Sequence, residues 1–517
     1  MPLATDRRAV HGLVLDPRGR AFWGTRMDTI DRERHYKLLI GGEWQAGQNG
    51  TYDVVNPATE EVVGRAPEAS RGQALDAARA AGEAFASWSR TRPSERAALL
   101  KAAARRLDEL TTDIVPTVQA ETGALMKVAR NLQVPQAAAR LRRYARGTYE
   151  PVEQAVEPTI MPSTPLAPGG IMGALARRVP VGVVTCITSY NFPMVNMAGK
   201  IGPALAMGNC VIVKPAPQDP LGVIRLVEIL DEVGFPPGVV NVITGAEIEP
   251  SQAVVEAPEV DMVSFTGSTA IGRQIGAVCG GSMKRQLMEL GGKGACIVFD
   301  DADLKKAIGG ITSVWAFHSG QICTAPTRVF AHADIYDHLV GGLQKAASYL
   351  KVGDPTDDRT LVGPVISGAH RSRIETFFDD ARSDGGHIVV GGDRPDAMER
   401  GFFVNPTLIA GCTPDMRVVK EEVFGPVVSV VRFEDEDEVI ALANSSDFGL
   451  YDYVFGEDTS RAMRVARQLR SGTVGINSLQ RNHEAPFGGF RQSGVGRDGG
   501  SFGLAAYSEL QSIVWPG

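Results

Sequence analysis

The hydrophobic period of the chain changes several times, and each change marks a new kind of element. Residues 37–66 carry short apolar runs, Leu38-Leu39-Ile40-Gly41-Gly42-Glu43-Trp44 and Tyr52-Asp53-Val54-Val55-Asn56-Pro57, which predict short strands joined by turns. From about Gly72 the apolar spacing becomes three and four. Leu75, Ala78, Ala81, Phe85 and Trp88 share one helical face, narrowed by Arg79 and Gly82. Pro93 opens a second helix, with Thr91 as its cap and Leu99, Leu100, Ala103, Leu107 and Leu110 as its stripe. Two more helices follow to about Tyr149. Residues 150–171, with prolines at 151, 158, 162, 165 and 168, break the pattern and read as a linker or an edge excursion.

From Arg177 the pattern becomes strand–helix–strand. Val181–Thr188, Cys210–Lys214, Val239–Ile243 and Met262–Thr266 are near-continuous apolar runs, separated by helical stretches at Met197–Met207 and Leu221–Val233. Strands apolar on both faces belong in a parallel, doubly wound sheet covered by helices. Ligands of such sheets bind at the carboxyl ends of the strands. The sequence puts Tyr190-Asn191, Lys214, Gly245 and Gly267-Ser268 there. A second set runs from Ala295 to about Val474, with strands at Ala295–Phe299, Arg328–Phe330, His387–Val390 and Val427–Val431. Its helices are Leu304–His318, Ile335–Leu350 and Arg461–Leu469. A glycine-punctuated loop, Phe487–Arg497, precedes a last strand, Ser512–Trp515. With no partner near it in sequence, that strand is expected to pair across a subunit boundary.

With 517 residues the chain exceeds what one core accommodates, so two or three domains are expected. A net charge of −7 gives no basic stripe for nucleic acid or a membrane surface. No apolar run reaches the roughly 18 residues of a membrane span, and the start of the chain lacks the apolar core of a secretory signal. The six cysteines are scattered without a CxxC pair, which fits a reducing, cytoplasmic compartment and no structural metal. Residues 1–36, rich in arginine and without period, read as a surface extension.

Candidate chemistry gathers at residues 286–328. Cys323 follows the helix stop Ser319-Gly320 and has Gly, Gln, Thr and Pro around it, a setting for a nucleophile; Cys186, Cys210 and Cys296 sit in apolar strands as small core residues. His318 is placed inside the preceding helix and is discounted as the partner of a Cys–His hydrolase. Glu289 lies among apolar residues and glycines, either a buried general base or a salt-bridged structural carboxylate. Asn191 is an oxyanion donor or an Asx-turn before proline. Gly267-Ser268 opens a helix, as an anion cradle or an ordinary serine cap. Lys214 is a ribose donor or a surface lysine. Spacing alone leaves open whether Glu289 and Cys323 meet.

Taken together, these motifs resemble the aldehyde dehydrogenase superfamily over roughly residues 37–515. They are Tyr190-Asn191-Phe192-Pro193, Val213-Lys214-Pro215, Phe265-Thr266-Gly267-Ser268, Glu289-Leu290-Gly291-Gly292-Lys293, Gly320-Gln321-Ile322-Cys323, Glu422-Val423-Phe424-Gly425-Pro426 and Pro486-Phe487-Gly488-Gly489. The resemblance implies an α/β chain with two doubly wound domains, a Rossmann-like cofactor domain (37–155 and 180–291) and a catalytic domain (292–492). A small β oligomerisation arm (156–179 and 493–517) completes it and implies a homodimer or homotetramer. It implies that Cys323 attacks an aldehyde, that Asn191 and the Cys323 N–H hold the oxyanion, and that NAD or NADP accepts a hydride. Glu289 then activates the water that releases the acid, and Lys200 relays protons. Cofactor contacts are implied at Ile187, Thr188, Tyr190, Asn191, Lys214, Gly245, Gly267, Ser268, Glu289, Leu290, Gly291, Glu422 and Phe424.

Three departures from the family pattern carry information. Pro217 stands where many NAD-preferring members have Glu, which leaves NADP open. Gly199 stands where many have Trp, and Asn196 is polar. The loop Leu479-Gln480-Arg481-Asn482-His483-Glu484 is polar where others carry aromatics. A wider, partly polar tunnel for a bulky or functionalised aldehyde is expected. The alternatives are an acylating dehydrogenase that passes the thioester to coenzyme A, which Glu289 argues against, and a catalytically silent relative, which the joint presence of Cys323, Asn191 and Glu289 argues against.

Overall fold

The computed structural model describes residues 13–15, 21–23 and 30–516. The extension expected over residues 1–36 lies largely outside the described residues; within it, Leu13–Leu15 pairs antiparallel with Ala21–Trp23.

Two sheets organise the chain. The first has eight strands, in the order Gly494–Val495, Arg285–Glu289, Met262–Thr266, Val183–Ile187, Cys210–Lys214, Val240–Val242, Leu38–Ile40 and Glu43–Gln45. The five central strands are parallel, and the edges are antiparallel. Every residue of Cys210–Lys214 is buried, as expected of a central strand covered by helices on both faces. From Val183–Ile187 the chain first builds outward through Cys210 and Val240, then returns to the other side with Met262 and Arg285. The reversal opens a crevice at the carboxyl ends of Val183–Ile187 and Met262–Thr266, where open α/β sheets bind ligands.

The second sheet has seven strands, in the order His387–Val390, Thr407–Cys412, Val427–Phe433, Arg328–His332, Ala295–Val298, Tyr451–Phe455 and Thr473–Ile476. Only the edge strand His387–Val390 runs antiparallel. Residues 290–294 carry the chain from one sheet to the other, with Arg285–Glu289 on one side and Ala295–Val298 on the other. The two doubly wound halves match the expected fold class.

Two expectations are corrected, while residues 150–171 follow the edge-excursion reading: Glu153–Met161 and Gly170–Pro180 form an antiparallel ribbon. Pro158 is tolerated because Glu153–Met161 is an edge strand, and the register shifts between Val156 and Thr159. The last strand, Ser508–Pro516, finds its partner inside the chain, pairing antiparallel with Gly170–Pro180. The segment from 493, assigned to the arm, contributes Gly494–Val495 to the eight-stranded sheet instead, next to Arg285–Glu289. Among the described residues, no helix is long and apolar enough to cross a membrane.

Candidate active site

Cys323 is placed by a helix and a left-handed turn. The helix Leu304–Ala316 starts at Asp303, whose carboxylate accepts from the Lys306 N–H at 3.1 Å. It ends in three successive residues with positive φ: His318 at 53°, Ser319 at 54° and Gly320 at 74°. A Cβ at Gly320 would collide with the Gly425 carbonyl, so the turn needs glycine there. Gln321, fully buried, clamps the loop: its side chain donates to the His318 carbonyl at 3.2 Å and accepts from the Ile366 N–H at 2.9 Å. His318 therefore lies in the turn, not in the helix. It is buried, does not line the cavity beside Cys323, and burial pushes its imidazole down to about 4. Among the six cysteines five are buried, and Cys323 alone is partly exposed, into that cavity.

Glu289 is the last residue of Arg285–Glu289. It is buried, and neither carboxylate oxygen has a hydrogen-bond partner. Burial, with Asp498 nearby, pushes its carboxyl up to about 8 against the pull of Lys200, Arg481 and Arg497. Gly488, at φ 152°, leaves room for it, since a Cβ there would come within 3.0 Å of Oε1. Burial, then Glu422 and Glu289, pushes the Cys323 thiol up to about 12, so the sulfur is protonated at rest. Glu289 and Cys323 line the same cavity, of about 690 Å³.

Asn191 donates through Nδ2 to the Gln321 carbonyl at 2.9 Å, while its Oδ1 accepts from the Ser189 hydroxyl at 2.8 Å and the Phe192 N–H at 3.1 Å. The amide orientation is thereby fixed, and Nδ2 keeps a second hydrogen. Lys200 is buried and also lines the cavity. Its Nζ donates to Ser264 Oγ at 3.0 Å, which lies 2.7 Å from the Tyr507 hydroxyl. Burial lowers its pKa; Asp498, Cys186 and Glu289 oppose the shift.

Tyr190, Gly267, Ser268, Leu290, Gly291, Glu422 and Phe424 line the cavity as well. Ser268 caps the helix Thr269–Gly281, accepting from the Ile271 N–H at 3.4 Å, so the serine-cap reading and the exposed helix start coexist. Glu422 accepts from the Gly292 N–H at 2.8 Å, and burial pushes its carboxyl up to about 7. Phe424 sits at φ 59°, sparsely populated for a side-chain-bearing residue; His370 contacts its carbonyl at 2.7 Å and holds it there. Its ring meets Tyr190 edge-on at 5.9 Å. Ile187, Thr188, Lys214 and Gly245 stand at the strand ends outside the cavity wall. Lys214 is buried, with Nζ donating to the Pro215 carbonyl at 2.9 Å.

Asp498 and Arg140 line the cavity and were missed from the sequence. Asp498 follows the Phe487–Arg497 glycine loop directly, and a carboxylate at the end of that loop was the available signal. Arg140 sits on the helix Val134–Gly147 with no local mark of function. Arg481 and His483 both line the cavity, as the polar loop led one to expect.

A sequence model of the aldehyde dehydrogenase family matches residues 44–513. An aldehyde dehydrogenase-like protein of Schizosaccharomyces pombe is 35% identical over 480 residues, 92% of this chain and 94% of its own. An aldehyde dehydrogenase of Agaricus bisporus is 34% identical over 481 residues, 92% of this chain and 94% of its own. Among solved structures, betaine aldehyde dehydrogenase of Staphylococcus aureus in complex with NAD+ superposes with a TM-score of 0.88 at 36% identity, covering 93% of this chain and 95% of that one.

Proposed function

This chain belongs to the aldehyde dehydrogenase family, and we propose that it oxidises an aldehyde to the carboxylic acid with NAD(P)+ through a covalent intermediate on Cys323. The observation that carries the reading is Glu289: a buried carboxylate with both oxygens unpartnered, on the wall of the cavity that holds the one partly exposed thiol.

The residues fit a dinucleotide. The cavity wall includes the free start of a helix at Ser268–Ala270, a ready site for an anion. A Cβ at Gly291 would collide with the Glu422 carboxylate, so glycine keeps that acceptor in the cavity. Ser268 would hold the pyrophosphate, Glu422 the nicotinamide ribose, and Phe424 and Tyr190 the ring face, with Lys214 toward the adenosine ribose. Ile187, Thr188, Gly245, Gly267, Leu290 and Gly291 would form the surrounding backbone. When bound, the dinucleotide supplies the hydride acceptor. The relative solved with NAD+ supports NAD as the cofactor.

The chain's own residues do the rest. Cys323 Sγ attacks the carbonyl carbon, and because burial holds the thiol protonated, its proton passes to water in the cavity as the carbon–sulfur bond forms. Asn191 Nδ2 and the Cys323 N–H donate to the oxygen that gains charge. Once the adduct is oxidised to a thioester, Glu289 takes a proton from water, which attacks the carbonyl and releases the acid from sulfur. Lys200, through Ser264 and Tyr507, offers a route for protons beside Glu289. The edge strands Glu153–Met161 and Ser508–Pro516, with exposed Ile160 and Val514, and exposed Leu166 in the turn that follows Met161, support association of two or four copies. The partner in catalysis is a small-molecule aldehyde, and the compartment is cytoplasmic.

The test is absorbance of the reduced nicotinamide with an aldehyde panel, NAD+ or NADP+, with and without coenzyme A. Turnover independent of coenzyme A is expected. A strict requirement for it would replace hydrolysis with acyl transfer.

A further inference from the structure

The aldehyde end of the cavity carries more positive charge than its own carboxylates neutralise. Arg140 and Arg481 line it together with Asp498 and Glu289; His483 lines it too, but burial and the two arginines push its imidazole down, so it adds little charge. Asp498 is already engaged: it accepts from the Gly499 N–H at 2.7 Å and the Tyr144 hydroxyl at 3.4 Å, and lies 3.8 Å from Arg140. Glu289, pushed up to about 8, adds little negative charge near neutrality. Arg481 makes no ion pair and no side-chain hydrogen bond among the described residues. Its guanidinium carbon stands 3.6 Å from the centroid of the Phe487 ring, stacked on it and fixed in orientation.

Gly199 explains how the second arginine arrives. A Cβ at this position would collide with the Arg140 guanidinium, so the residue that replaces a bulky aromatic in this chain is what lets the cation in. Gln136 and Asn196 add neutral polar groups to the same wall.

A half-buried guanidinium without a counter-ion has lost part of its hydration, and the stack on Phe487 offsets this without satisfying its N–H donors. Its planar fork matches a carboxylate through two parallel N–H donors, and stacking on Phe487 has already removed much of its rotational freedom. We infer that Arg481, with Arg140 beside it, binds a carboxylate carried by the aldehyde, so that the substrates are oxo acids with the aldehyde at the far end from the acid. This rests on the aldehyde oxidation proposed above and names its substrate class.

The experiment has two arms. In the first, kcat/KM is measured with NAD+ for succinic semialdehyde against butanal, adipic semialdehyde against hexanal, and betaine aldehyde as the cationic case. The acid-bearing member of each pair is expected to win by about 10–100-fold, the gain of a charge-assisted hydrogen-bonded pair, with betaine aldehyde the poorest. Arg481→Met brings each ratio toward one, mainly through KM, and Arg481→Lys keeps part of it. In the second arm, calorimetry measures adipate and its neutral isostere adipamide on the unmodified enzyme and on Arg481→Met. Tighter binding of adipate, lost in the variant, is expected. Equal use of acid-bearing and neutral aldehydes, or equal binding of adipate and adipamide, overturns the inference while leaving aldehyde oxidation standing. A phosphate-bearing aldehyde that outranks the carboxylates overturns the carboxylate assignment. Failure of every aldehyde overturns the oxidation reading, and calorimetry still decides whether Arg481 holds a carboxylate.

Discussion

Hydrolysis of the acyl-enzyme should titrate with Glu289. Its carboxyl is pushed up to about 8 by burial and by Asp498, so it keeps its proton at neutral pH and accepts one from water only when ionised. The sign follows directly: a raised carboxylate is inactive as a base below its pKa and active above. At pH about 7 roughly one tenth of the enzyme has an ionised Glu289, and at pH about 9 roughly nine tenths, one pKa unit being a factor of ten in the ratio of the two forms. Where hydrolysis limits turnover, kcat should rise roughly tenfold over that interval and then level off. Glu289→Gln removes the titrating group and the base. It should keep a rapid first burst of reduced nicotinamide, then turn over about 10²–10⁴-fold more slowly, without the step near 8. Stopped-flow absorbance across the pH range reads both phases. A rise that continues without a plateau would mean direct attack by hydroxide. An unchanged pH profile in Glu289→Gln would refute the assignment of the base.

The remaining predictions address other parts of the site. Cys323→Ala should abolish oxidation yet bind NAD+ with nearly unchanged affinity, measured by quenching of tryptophan fluorescence; residual turnover near that of the parent would remove Cys323 as nucleophile. Asn191→Ala should lower kcat by about 10²–10³ with a smaller change in KM, as expected for a donor to the developing oxyanion. Gly291→Ala should displace the Glu422 carboxylate from the Gly292 N–H and weaken NAD+ binding by about 10–100-fold, the loss of a hydrogen bond to a charged group; calorimetry checks it. Deleting residues 508–517 removes the strand that pairs with Gly170–Pro180 and should shift the enzyme to smaller species in light scattering.

Much of the site was legible because its signals are local. Cys323 stood out through a helix stop and polar neighbours, and Glu289 through a strand end among glycines; the structure puts both where these features predict. The helix cap Ser268 was likewise written in adjacent residues. What was not legible depends on meetings between distant segments. Arg140 reaches the cavity only because Gly199, on another helix, leaves it space, and Asp498 is drawn to it from the far end of the chain. Proline spacing left 150–171 open between a linker and an edge excursion, since the cost of proline in a strand vanishes at an edge, and edge position is a property of the whole sheet. The terminal strand misled for a related reason: its partner lies more than 300 residues earlier, at Gly170–Pro180.

The central claim is a thioester on Cys323, and trapping it tests that claim most directly. Glu289→Gln, mixed with NAD+ and an aldehyde and quenched in acid, should carry an acyl group of the aldehyde's mass on the peptide containing Cys323, seen by mass spectrometry and removed by hydroxylamine. No adduct, or an adduct on one of the buried cysteines such as Cys296, would contradict the account.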